Sequence, residues 1–202
     1  MELKFLGRGA AFNPKEGNTS AYFMDDKQLF LIDSGESVFE RLVANGLLED
    51  ITDINLMITH THSDHIGSLG TLVMYSYYVL RRPLNIIIPS EAKYLSNIEE
   101  ILNGFGCSHE MYNYVDEKKY DNKFLSFQTI RYMETKHSDE LSCYGILFTT
   151  LDGLIYYSGD TREIENVKLV INAGKNIDKL YIDTTTANFL GNVHLYIGVL
   201  QE

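Results

Sequence analysis

Residues 59–65 read Thr-His-Thr-His-Ser-Asp-His, which puts four side chains that bind divalent cations, those of His60, His62, Asp64 and His65, into one short run. Three of the chain's six histidines lie there, a density that packing alone does not explain. Neutral imidazoles with a carboxylate suit zinc or manganese, and the absence of a nearby cysteine argues for a catalytic centre over a structural thiolate site. His60 and His62, two apart in extended backbone, point the same way. Asp64 and His65 follow after the chain turns and can face a second ion, so the run describes two adjacent metals.

Two later residues extend the set. His137 follows a strand predicted to start near Phe124, and Asp160 sits in Ser158-Gly159-Asp160-Thr161, where the glycine allows the backbone a close approach. One carboxylate between two cations can bind both and hold them about 3.5–4 Å apart. Asp160 is assigned as that bridge.

The elements that must position these residues are legible from apolar runs and turn residues. Strands are expected at Leu3 to Leu6, Ser20 to Met24 and Gln28 to Ile32, an opening meander. Ile54 to Thr59 reads as a buried strand, so the histidines leave a sheet edge in a loop before a helix that begins near Ile66. Helical spacing covers Glu36 to Ala44, with Gly46 as C-cap, and an apolar helix runs from Gly67 to Leu80, stopping before Pro83. Asn85 to Ile88 is strand-like. Ser90 can cap a helix to about Leu102, with Gly104 as its stop. Later strands are expected at Phe124 to Met133, Gly145 to Thr150, Leu154 to Tyr157 and Lys179 to Ile182. Sheets with outer helices follow, an α/β architecture in layers.

The 202 residues, 45% hydrophobic and 12% aromatic, are enough for one sizeable core, and a single domain over 1–202 is expected. Cys107 and Cys143 have neither metal-ligand nor disulfide-framework spacing and read as packing residues of a reducing compartment. The first residues lead directly into a strand with no signal-peptide pattern, and no apolar run approaches the roughly 18 residues of a membrane helix. A soluble cytoplasmic protein without a membrane partner is the expectation. The net charge of −11 makes a long nucleic acid a poor partner, while a small anion drawn to bound cations is compatible.

With these residues in view, the chain resembles the metallo-β-lactamase fold, whose HxHxDH signature His60, His62, Asp64 and His65 match. The family's later histidine and bridging aspartate look like His137 and Asp160. The opening Phe5-Leu6-Gly7-Arg8-Gly9-Ala10-Ala11, the Asp33-Ser34-Gly35 turn and Ser158-Gly159-Asp160-Thr161-Arg162 are similar to the phosphodiesterase branch that contains tRNase Z. The resemblance implies an αββα sandwich, with one ion held by His60, His62, His137 and Asp160 and the other by Asp64, His65 and Asp160. Two zinc ions are implied, with manganese as the alternative. The segment from His137 to Asp160 is too short for the arm of the tRNA-processing enzymes, and the chain looks most like the armless anti-Pycsar proteins, which degrade cyclic-nucleotide signals. The family also places a last ligand histidine near its C-terminus. Here the sandwich either lacks that end or uses His194 as the ligand, whereas the better match for His194 is the substrate-side histidine that protonates the leaving oxygen, with Asp183 orienting it.

Paired divalent ions lower the pKa of a shared water from about 15.7 toward 7. Asp64 can orient the attacking oxygen as well as bind metal, and His194 with Asp183 would supply the leaving-group proton. The implied reaction opens a cyclic nucleotide to a nucleoside monophosphate, countering host nucleotide-signalling immunity from the host cytoplasm if the chain is phage-encoded. The alternatives are a tRNA 3′-processing endoribonuclease-like hydrolase and a nucleotide-sequestering binding protein with an incomplete metal site. Base recognition is assigned to a mobile aromatic loop carrying Phe105, Tyr112, Tyr114 and Tyr120, with core packing or a dimer contact as the competing reading. A homodimer is implied by the branch, with the helix from Gly67 to Leu80 and its Tyr75, Tyr77 and Tyr78 as the surface to test. Arg81 and Arg82 could meet phosphate or favourably end that helix.

Overall fold

The computed structural model describes residues 1–90, 95–120 and 126–201. It consists of two compact units, Met1–Asp116 and Glu117–Glu202.

The first unit opens on the meander β1 (Lys4–Gly7), β2 (Ser20–Asp25) and β3 (Gln28–Ile32), all antiparallel. It continues through α1 (Val38–Ala44), β4 (Asp53–Met57), the single-turn helix α2 (Ser63–Ile66), α3 (Leu69–Tyr78), β5 (Leu84–Ile88), α4 (Leu95–Gly104) and β6 (Tyr112–Asp116). The six strands lie in chain order, and β3 to β6 are parallel because helices return the chain between them. Leu29 to Ile32 on β3 and Ile54, Leu56 and Met57 on β4 are buried. Such continuous apolar runs are what a parallel strand covered on both faces requires. Because β3 and β4 point the same way, the turn after β3, Asp33-Ser34-Gly35, and the segment after β4, Thr59 to His65, emerge at the same sheet edge.

A ladder of side-chain amides crosses this sheet. Asn113 on β6 donates to Asn85 on β5 (3.2 Å), Asn85 to Asn55 on β4 (3.2 Å), and Asn55 to Gln28 on β3 (3.3 Å). Asn55, Asn85 and Asn113 are register partners on adjacent strands. Each bond contributes about 0.5–1.5 kcal/mol net.

Three expectations need correction. The second half of the metal-binding run is not loop: Asp64 and His65 lie on α2, whose N-cap His62 is extended (φ −65°, ψ 152°). The stop after α4 is Gly106, at φ 78°, with Gly104 still helical. The loop expected over 105–120 contains a strand, since Tyr112–Asp116 is β6 and pairs along its length with β5. The start of the helix predicted from Ser90 falls partly on residues 91–94, outside the described residues.

The second unit contains β7 (Thr129–Thr135), β8 (Cys143–Thr149), β9 (Leu154–Tyr157), α5 (Glu165–Asn172) and β10 (Ile177–Tyr181). The sheet runs β10-β9-β8-β7, with β7/β8 and β8/β9 antiparallel and β9/β10 parallel across α5. The strand predicted from Phe124 starts at Thr129, and residues 121–125 lie outside the described residues. Helix α5, absent from the sequence reading, packs Val167 and Val170 onto Leu154 and Tyr156. By this pairing β7, β9 and β10 run in one direction, so the segments after their C-termini, carrying His137, Asp160 and Asp183, gather at one edge. Cys107 and Cys143 are both buried thiols. Among the described residues no helix is long and apolar enough to cross a membrane.

Candidate metal centre

In the first unit the four donors of residues 60–65 converge. His60 is fully buried, and its Nε2 lies 2.9 Å from Nδ1 of His62. The rings of His60 and His65 are 4.0 Å apart, and His65 Nε2 is 3.6 Å from Asp64 Oδ2. The geometry follows from the local chain: extended backbone through His62 turns two alternate side chains to one side, and α2 then carries Asp64 and His65 round together. His60 Nδ1 lies 3.1 Å from the Thr59 hydroxyl. That hydroxyl gives its own proton to Asp33 (2.8 Å), so it accepts from Nδ1–H and leaves the lone pair on Nε2.

Asp33 is the residue that sequence reasoning did not assign a role. It is fully buried at φ 62°, and its backbone N–H donates to Met57 O (2.8 Å). Burial pushes its carboxyl up from the usual range, while His65 beside it and the bonds from Thr59 pull it down. The next residues tie the turn to the metal-binding run: Ser34 N–H donates to His65 O (2.7 Å) and Ser68 N–H to Ser34 O (2.8 Å). An aspartate ending a fully apolar strand, one strand away from the histidines, was the available signal.

In the second unit His137, Asp160 and His194 form a donor group whose ligand atoms lie within 4.8 Å of one another. His137 Nδ1 donates to Val193 O (3.0 Å), which leaves the Nε2 lone pair facing Asp160 Oδ2 at 3.6 Å. His194 Nδ1 donates to Asp183 Oδ2 at 2.7 Å and lies 3.9 Å from Asp160. Gly159, at φ 58°, makes the turn that delivers Asp160, and Asp183 is held by the Ser158 hydroxyl accepting its N–H (2.8 Å). A divalent cation fits both donor sets, because protein acceptors hold the Nδ1 protons of His60 and His137 and turn the opposite ring nitrogen toward other donors, the arrangement metal-binding histidines need.

The loops bearing His137 and Asp160 are cross-tied. Arg162 N–H donates to Lys136 O (2.7 Å), the Arg162 guanidinium pairs with Asp139 (2.6 Å), and Lys136 pairs with Glu163 (2.9 Å). Asp139 is 82% exposed, so solvent screens the guanidinium pair. Arg162→Ala should lower stability by no more than about 1 kcal/mol, read from urea unfolding.

The residues assigned to base recognition do not form one exposed platform. Tyr112 is 4% and Tyr120 7% exposed, so their faces pack inward. Tyr112 and Tyr114 make an edge contact at 5.4 Å, and burial pushes the Tyr114 hydroxyl well above the ordinary tyrosine range. Phe105 alone of these is exposed, lying over Gly70. Arg82 points to Asp53 (3.6 Å), and Tyr75 packs edge-on against Phe39 (5.5 Å).

Solved structures define the class. The metallo-beta-lactamase fold protein YhfI from Bacillus subtilis is similar at a TM-score of 0.72 with 17% identity, over 96% of this chain and 76% of that one. The short form of human tRNase Z is similar at 0.68 with 18% identity, over 98% of this chain and 85% of that one. The chain therefore has the metallo-β-lactamase fold. The family model described as anti-Pycsar protein Apyc1 matches residues 1–202, and the chain belongs to that family. An anti-Pycsar protein Apyc1 of Bacillus phage 010DV004 is 34% identical over 158 residues, 75% of this chain and 54% of the relative. A ribonuclease Z of Methanococcus maripaludis strain C6 is 36% identical over 104 residues, 48% of this chain and 32% of the relative. The chain thus spans about half the length of the phage relative.

Proposed function

We propose that this chain is a metal-dependent phosphodiesterase that hydrolyses cyclic nucleotides to nucleoside monophosphates. The observation that carries the reading is the run His60, His62, Asp64 and His65 folded into one converging donor set, in a chain of the anti-Pycsar family. In this reading His60, His62, His137 and Asp160 would hold one divalent cation, zinc or manganese, and Asp64, His65 and Asp160 the other. When bound, such a pair lowers the pKa of water and offsets charge on the phosphoryl oxygens.

The chain's own residues do the rest. Asp64, partly exposed like His62 in the first set, accepts a proton from the attacking water and orients its oxygen toward phosphorus. His65 and His60, buried beneath it, keep bulk water away from that face. Asp183 holds the Nδ1 proton of His194, so Nε2 is the nitrogen presented. With Nδ1 spent on Asp183 at 2.7 Å, protonated His194 is set to give a proton from Nε2 to the leaving oxygen, beside the Asp160 and His137 donors. His194→Ala should then leave bound zinc unchanged, measured by elemental analysis, and slow hydrolysis by about 10²–10⁴-fold, whereas loss of about one ion per chain would make His194 a ligand instead.

The test is hydrolysis. Protein loaded with zinc or manganese, given cyclic mono- and dinucleotides, pre-tRNA and a chromogenic phosphodiester, should open a cyclic nucleotide ring. Cleavage of pre-tRNA alone would favour the endoribonuclease-like alternative, and unchanged release of bound nucleotide a sequestering protein.

A further inference from the structure

We infer that Asp33 is a positioning residue that fixes which ring nitrogen both His60 and His65 present to metal. The inference rests on the reading of residues 60–65 as ligands. Asp33 Oδ1 accepts the Thr59 N–H at 2.7 Å, which anchors the first residue of the run. Its Oδ2 accepts two protons, from the Thr59 hydroxyl at 2.8 Å and from His65 Nδ1 at 2.8 Å. The Thr59 oxygen in turn lies 3.1 Å from His60 Nδ1. A single carboxylate therefore sits at the end of two hydrogen-bond paths, one direct to His65 and one relayed through Thr59 to His60.

Both paths end on Oδ2, whose two lone pairs can accept both protons. With Nδ1 protonated on each ring, the lone pair is confined to Nε2, the nitrogen that meets Asp64 on His65 and His62 on His60. The turn supports this role at some cost, because Asp33 occupies the left-handed region (φ 62°), uncommon for residues other than glycine. Backbone bonds from Asp33 N–H to Met57 O and from Ser34 N–H to His65 O hold it there.

Asp33→Asn tests the assignment because it preserves shape and inverts one hydrogen-bonding atom. The amide oxygen can still accept Thr59 N–H, but the amide nitrogen faces His65 Nδ1 as a donor. His65 then accepts at Nδ1 and carries its proton on Nε2, where it blocks the ligand lone pair. Zinc affinity, measured by competition with a chromogenic chelator, should fall about 10–100-fold. Long-range proton–nitrogen NMR of the metal-free chain should show His65 moving from the Nδ1–H to the Nε2–H tautomer. Thr59→Val, which removes only the relay, should weaken zinc binding and release the His60 tautomer while leaving His65 as in the wild type. This second variant decides the matter if Asp33→Asn does not fold. Wild-type zinc affinity and an unchanged His65 tautomer in Asp33→Asn overturn the inference. Failure of the wild-type chain to bind zinc instead strikes the reading of residues 60–65 as ligands, while the tautomer measurement still tests Asp33.

Discussion

Asp160→Asn should reduce bound zinc from about two ions per chain to one or fewer and slow cyclic-nucleotide hydrolysis by at least about a thousandfold. In the proposed arrangement Asp160 is the one donor shared by both ions. Its Oδ2 is 3.6 Å from His137 Nε2 and 3.9 Å from His194 Nδ1. The amide retains one oxygen, but it loses the negative charge that offsets two nearby cations. The fold should survive, because the bond from Thr135 goes to the Asp160 backbone carbonyl (3.1 Å), which the substitution does not touch. Elemental analysis beside a thermal unfolding curve separates loss of metal from loss of structure. Two ions retained per chain would remove Asp160 from the shared position.

Gly35→Ala is expected to destabilise the chain by about 1–3 kcal/mol and to weaken metal binding at the same time. A methyl group at this position runs into the Asp64 carbonyl and comes within 2.7 Å of Asn18 Cβ. Neither neighbour can retreat by a rotamer change. Asn18 is fixed to Ser37 by two bonds of 2.8 Å, and the Asp64 carbonyl belongs to the backbone of α2. Relief must come from movement of α2, which carries Asp64 and His65 with it. Gly104→Ala is the control: no atom lies within 4 Å of its added carbon, so stability should stay level or rise slightly. Urea unfolding and chelator competition on both variants check the pair, and equal behaviour would mean that the turn and the metal-binding run are not sterically coupled.

Much of this was legible in the chain, and the reasons are particular. Gln28–Ile32 and Leu154–Tyr157 were read to the residue because both are short, nearly continuous apolar runs between turn residues. β6 was missed because Tyr-Asn-Tyr-Val-Asp carries the polar residues of a loop, and its strand character depends on Asn113 finding Asn85 across a strand pair. α5 presents only Val167 and Val170 to the core, too thin a stripe to stand out among Lys168, Asn166 and Asn172. The donors themselves were plain from residue type and spacing. Their supports were not: Asp33 reaches Thr59 and His65 only because two distant strands lie parallel, and His137 is oriented by the carbonyl of Val193, an apolar residue with no chemical signature.

The row of amides from Gln28 to Asn113 has a consequence at the opposite end of the strands that carry it. If β4 slid by one residue against β5, Asn55 would lose Asn85, and the segment from Thr59 onward would advance by about 3.3 Å. A working metal constellation tolerates displacements of only about 0.5 Å, so such a slip would dismantle it completely. The amides thus act as a ratchet pawl for the sheet, letting uncharged side chains near the strand starts set where the imidazoles come to rest.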